Sequence, residues 1–246
     1  MAGHSKWNNI KHRKGKADAQ KGQVFAKIAK EIIVAVKHGG GDPDANFALR
    51  MALDKARSVN TPNDNINRAI QRGLGTGDTD NYDEFSYEGF GPAGVAVMVD
   101  LLSENRNRTA SDIRHIFSKH GGNMGENGCV SYLFDKKGLI TIERENESRS
   151  EDEMLLLALE AGAEDLQVDE ESFEIITAPT DLEAVRSYLD EQSVAIASAE
   201  LTMIPQTTVA VEGEMSEKVL KLLDALEDHD DVQNVYTNAD LPDEEE

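Results

Sequence analysis

The sequence predicts an α+β protein: an N-terminal three-helix bundle followed by two ferredoxin-like α/β domains, the second domain discontinuous and the third inserted into it. Three observations predict it. Apolar residues recur at helical spacing up to residue 75, and beyond it the pattern changes period as strand-like runs alternate with helical ones. Those later segments follow the order βαβ, then βαβ-βαβ, then βαβ. The charge changes sign at the same place: residues 1–75 carry 14 Lys/Arg and 6 Asp/Glu, whereas residues 76–246 carry 11 and 41.

Taken in order, residues 1–22 show no apolar periodicity and read as a basic arm that is mobile or ordered by a partner. The bundle occupies 23–75. Its first helix carries Val24, Ile28, Ile32 and Val36 on one stripe, widened by Phe25 and Ile33 and ended by the glycines 39–41. The second is expected to start with Asp42 as N-cap and Pro43 at the first helical position. The third pairs Thr61 and Pro62 with Asp64 in a capping-box-like start, and Gly73 is expected to stop it. A linker, 74–84, follows.

The next strand is GVAVMVDLLS (94–103), leading to a helix capped by Thr109 and stopped at Gly121, then the strand CVSYLF (129–134). LITIE, a helix from EDEMLLLALEAG, LQVD, FEIITAP, a helix from DLEAVRSYLDEQ and SAELTMIP form a complete split βαβ pair over 135–205. TTVAVE, the helix SEKVLKLLDALED and VQNVYTN close the chain as another βαβ unit. The flanking units, 85–134 and 206–240, are each half of a ferredoxin-like domain. Alone, each would leave a sheet face and an edge exposed, so they are expected to pair around the inserted acidic domain 135–205. An acidic tail, 241–246, is expected to be unstructured.

Composition narrows the function. One cysteine, Cys129, excludes an internal disulfide framework and a multi-Cys zinc site and suits a reducing compartment. Apolar runs such as 32–36 and 95–99 are too short to span a bilayer, and no h-region follows the basic start, so a cytoplasmic protein with no membrane partner is expected. GFGPAG (89–94) matches the dinucleotide fingerprint, but a strand rather than a helix follows it, so it reads as a turn entering Val95–Val99. No metal-ligand spacing occurs. Cys129 reads as a small core residue at the start of a strand. No catalytic residue, metal or cofactor is expected.

The basic stretches point elsewhere. Residues 1–30 hold eight Lys/Arg against one acid, Asp18, in a chain whose formal net charge is −22. Lys6, Lys11, His12, Arg13, Lys14, Lys16 and Lys21 are candidates for phosphate contacts, which need charge rather than base sequence. Trp7 either stacks on an unpaired base or packs on the bundle. Arg106 and Arg108 stand before a helix start, where they either favour an anion or bond to neighbouring acids.

MAGHSKW, GGGDPDAN, YEGFGPAG, NRNRTASDIRHIFSKHGGN, SYLF and ALEAGAEDL together closely resemble the YebC/PmpR family, end to end. That resemblance implies a helical N-terminal domain and two α/β domains around a cleft, and no enzymatic activity. It implies a DNA-binding transcriptional regulator, or alternatively a ribosome-associated translation factor that binds ribosomal RNA and assists elongation at stalling sequences. An acidic protein-interaction adaptor is the third reading, with no help from the resemblance. A monomer is expected.

Overall fold

In the computed structural model, residues 18–75 and 81–242 are described, and the arm residues 1–17, linker residues 76–80 and tail residues 243–246 lie outside them. The described chain is mixed α+β. It divides into two compact units, one running up to Phe134 and resuming at Pro205, the other Asp135–Ile204.

The first unit opens with three helices, α1 (Asp18–Gly39), α2 (Phe47–Ser58) and α3 (Asn63–Leu74), of which α1 packs on both others. Helix α1 begins at Asp18, ahead of its apolar stripe, so Lys21 belongs to a helix rather than to an unstructured arm. Val24 lies outside the core, which starts at Ile28 and continues through Ile32, Ile33 and Val36 onto Leu49, Leu53 and Ile66. The cap of α2 is Asn46 and not Asp42. Its side chain accepts from the Leu49 amide at 3.1 Å and donates to Ala35 and Gly40 carbonyls at 2.8 Å. Asp42 instead closes a turn, accepting from Asp44 N–H through its side chain and from Ala45 N–H through its carbonyl. Helix α3 starts after Pro62 without a side-chain cap, and it runs through Gly73. Gly73 is there for contact: a Cβ would lie 2.7 Å from Val36 Cβ and 3.0 Å from the Ile33 carbonyl oxygen.

The rest of this unit is a four-stranded antiparallel sheet in the order β3-β1-β2-β9, from β1 (Asp83–Phe90), β2 (Ala96–Ser103), β3 (Asn123–Met124) and β9 (Val232–Thr237). Strand β2 pairs with β1 on one side and with β9, from beyond the inserted segment, on the other. Helices α4 (Arg106–Lys119) and α7 (Glu214–Glu227) supply Ile113, Phe117, Val219, Leu222 and Leu226 to its core. Sequence patterning does not announce β1, because its polar residues and Gly89 break up any apolar run. Gly89 lets β3 approach: a Cβ there would sit 2.5 Å from the Asn123 carbonyl oxygen. The expected strand 129–134 is instead a loop and a 3-10 turn at Ser131–Leu133. The carboxylate of buried Glu88 accepts from the Gly128, Val130 and Ser131 amides there, each at 2.8 Å, which takes those donors away from any ladder. The strand expected from TTVAVE shrinks to β8 (Val209–Ala210), paired in parallel with β10 (Ala239–Asp240) outside the main sheet. Leu241 is buried in this core, so the ordered domain extends beyond residue 240.

The second unit is a sheet in the order β5-β6-β4-β7, with β4 (Phe134–Glu143), α5 (Glu151–Ala161), β5 (Asp165–Val168), β6 (Ser172–Thr177), α6 (Leu182–Glu191) and β7 (Ile196–Pro205) in chain order. This is the ferredoxin-like arrangement, with the first and third strands central. Ile140, Ile142, Phe173 and Ile175 share one sheet face by register, and Met154, Ala158, Val185 and Leu189 of the helices are buried with them.

Candidate nucleic-acid interface

One flank of α1 is already occupied by the chain itself. Gln23 donates to the Asp228 carbonyl and to Asp230 Oδ1, Lys27 donates to the Glu227 carbonyl, and Lys30 donates to the Asp230 carbonyl at 2.9 Å. The acceptors form the acidic run that ends α7 and leads into β9, where helix-end carbonyls and carboxylates favour cations. Part of the basic charge read from the sequence therefore holds the bundle to the split sheet. The spacing of Gln23, Lys27 and Lys30 on one side of α1, set against the acids at 227–231, was the signal available for this.

Asp231 is the centre of that junction. It is 5% exposed and accepts from Lys30 at 2.9 Å, Thr109 Oγ1 at 2.8 Å, Ser103 Oγ at 3.0 Å and Arg108 at 3.1 Å. Burial alone would raise its pKa. The Lys30 and Thr109 hydrogen bonds, the Lys30 charge and the Ser103 hydrogen bond outweigh burial and hold the carboxyl well below the ordinary range.

Helix α4 starts at Arg106 with Asn105 as cap, accepting from the Arg108 amide at 3.1 Å; Thr109 is inside the helix and buried. Arg106 and Arg108 thus stand together in the first turn rather than ahead of it. Arg108 pairs with Asp231 while its side chain stays 59% exposed, and the Arg106 guanidinium lies over Phe85, 4.8 Å from the ring centroid. Farther along α4, Arg114, His115 and Lys119 are exposed.

The outward face of α3 is chemically distinct. Asn67, Arg68, Gln71 and Arg72 are all exposed, at positions that put them on adjoining turns of one helix face, while Ile66, Ala69 and Gly73 are buried. Arg, Asn and Gln are the side chains whose forked polar groups match guanine and adenine edges, and Arg also binds phosphate. The row can be read in NRAIQRG, although it is less basic than the arm.

Of the arm candidates, Lys6, Trp7, Lys11, His12, Arg13, Lys14 and Lys16 lie outside the described residues, and Lys21 is exposed on α1. Cys129 is half-buried in the loop held by Glu88, not in a strand. Burial and the Glu88 charge push its thiol up, which keeps it protonated and weakly nucleophilic. Among the described residues no three His, Cys, Asp or Glu side chains gather as a metal site, and no helix is long and apolar enough to cross a membrane.

A bundle with an exposed Arg/Asn/Gln helix face, fastened to a split α/β sheet that carries an inserted ferredoxin-like unit, defines a multidomain α+β protein. The chain belongs to the TACO1/YebC family: the family's N-terminal domain matches residues 5–76 and its second and third domain residues 82–239. A relative from Desulfitobacterium hafniense is 56% identical over 100% of this chain and 99% of its own length, and one from Natranaerobius thermophilus is 57% identical over 99% and 98%. Both are named "probable transcriptional regulatory protein". The crystal structure of a conserved hypothetical protein from Aquifex aeolicus is similar with a TM-score of 0.86 at 47% identity, covering 96% of each chain.

Proposed function

We propose that this protein is a non-enzymatic, nucleic-acid-binding regulator of gene expression, acting as a monomer in the cytoplasm and on DNA, as the names of its relatives suggest. The observation that carries the reading is the outward row Asn67, Arg68, Gln71 and Arg72 on α3, in the net-basic first 75 residues of an acidic chain. The arm cations Lys6, Lys11, His12, Arg13, Lys14, Lys16 and Lys21 supply phosphate contacts around that row, Trp7 a stacking surface, and Arg106 and Arg108 a further anion contact. Residues 135–205 form the inserted acidic domain, which repels phosphates and leaves their binding to the basic N-terminal part.

A second reading is favoured by the charge of the remainder. Residues 76–246 carry 30 more acids than bases, and open duplex must keep that charge beyond a Debye length of roughly 8 Å. Folded ribosomal RNA gives the arm phosphates to thread between while acidic surfaces face solvent or basic proteins, which makes the protein a translation factor.

One competition separates the two. Full-length protein labelled away from the arm is bound to ribosomes at near-physiological salt, and genomic duplex DNA is titrated in while anisotropy is followed. Displacement at low DNA concentration, with some fragments stronger than others, supports the transcriptional reading. Displacement only at high, sequence-independent concentrations supports the ribosomal one. On duplex DNA, an arm neutralising about five phosphates gives a log–log salt slope near −4.5, and a flat salt response contradicts both readings.

A further inference from the structure

Helix α5 of the inserted unit turns Met154 and Ala158 into its core and leaves Leu155, Leu156 and Leu159 exposed by 41%, 63% and 54%. Spacings of three and four residues put these leucines side by side on the outer face. Ten large hydrophobic side chains are exposed among the described residues, and three of them fall within these five positions. Isolated exposed leucines are ordinary, whereas a contiguous face of them marks an interaction site.

The helix that carries the face is held at both ends. Ser150 and Glu153 form a reciprocal capping box, and the C-terminal turn closes through Gly162 at φ 93° and the Ala163 amide bonded to the Ala158 carbonyl at 2.9 Å. A face fixed in this way loses little freedom when a partner binds.

Charge selects the occupant. Exposed Glu151, Asp152 and Glu160 lie on the same helix, and residues 135–204 carry 5 Lys/Arg against 19 Asp/Glu. A second copy of this face would set acid against acid, and an anionic bilayer would be repelled. A helix with an apolar stripe bordered by lysines or arginines meets both the leucines and the carboxylates. We propose that the outer face of α5 is a docking site for a basic amphipathic helix of a partner protein.

The test uses the full-length protein and two labelled synthetic peptides of identical Leu/Lys composition, one with leucines at helical spacing and one scrambled so that no face is apolar. The amphipathic peptide is expected to bind at least about tenfold tighter than the scrambled one. The L156Q/L159Q variant should bind both equally while keeping the wild-type thermal midpoint, and L156Q alone should show a partial loss. Equal binding of the two peptides to the wild type overturns the proposal, as does a variant that binds like the wild type. A collapse of the thermal midpoint in both variants also overturns it, by making the leucines part of the core. Leucine-dependent self-association in light scattering, or leucine-dependent binding to phosphatidylcholine vesicles, assigns the face to a second copy or a bilayer and likewise overturns it.

Discussion

Asp231 and Glu174 are both buried carboxylates, one in each compact unit, and their acidities move in opposite directions. Asp231 meets an ammonium, a guanidinium and two hydroxyls, and its carboxyl is held down. Glu174, 2% exposed on β6, has Thr141 and Gln167 opposite it on the neighbouring strands, and its Oε1 has no hydrogen-bond partner. Burial, with a smaller contribution from the Asp169 charge, pushes it up to about 7. Burial opposes ionisation in both cases; donors decide whether that opposition is overcome. The first unit uses its acid to join the helical bundle to the sheet, whereas the inserted unit keeps its acid at a cost.

The comparison can be broken at each site. Asp231→Ala strands the half-buried Lys30 ammonium and two hydroxyls, and chemical denaturation should show a loss of about 3–5 kcal/mol. An Asp231→Ala protein as stable as the wild type would mean that the junction does not depend on its carboxylate. In the native protein the carboxylate's contribution is complete above the ordinary Asp range and is lost as pH falls through the depressed folded value.

Glu174 runs the other way. Its folded pKa lies above the ordinary 4.5, so stability is fully present below that value and declines as pH rises toward about 7. Glu174→Gln should therefore stabilise the protein by about 3 kcal/mol at pH 8 and by little at pH 4. A pH-independent effect would show that Glu174 keeps the same charge throughout.

Smaller effects sharpen the contrast. Glu88 is another buried acid of the first unit, and its three amide donors outweigh burial and lower its pKa. Glu88→Ala should cost about 2 kcal/mol and speed hydrogen exchange at the Gly128, Val130 and Ser131 amides. Gly73→Ala forces α3 off Val36, at about 1–2 kcal/mol in thermal unfolding. The least stability change is expected from Arg68→Ala with Arg72→Ala, within about 0.5 kcal/mol. If both arginines touch phosphate, that pair also flattens the nucleic-acid salt slope by about 1.8.

Much of the fold was legible before the structure. The apolar stripe of α1 and the βαβ-βαβ order of the inserted unit are local patterns, fixed by the side-chain periods of helices and strands. The errors share a cause. Asp42 and Thr109 have the right chemistry to cap helices, but Asn46 and Asn105 do so: Asn46 also bonds the end of α1, and the Thr109 hydroxyl is drawn to Asp231, a contact that sequence alone does not bring together. Gly73 resembled a helix stop and is a helix–helix contact. Strand β1 has no apolar run to announce it, yet it pairs with β2 along its whole length and with β3 at Gly89 and Phe90.

The candidate site divides along the same line. Arg106 and Arg108 could be singled out from their neighbours in the chain, and so could the α3 row. Which cations remain available to a ligand was settled by tertiary packing: Lys27 and Lys30 are taken by an acidic turn about 200 residues away. Sequence by itself determined the sign of each half of this protein and the element types, because charge and periodicity are local properties. Only the tertiary structure decided which charges cancel, since pairing depends on distances that local pattern does not encode.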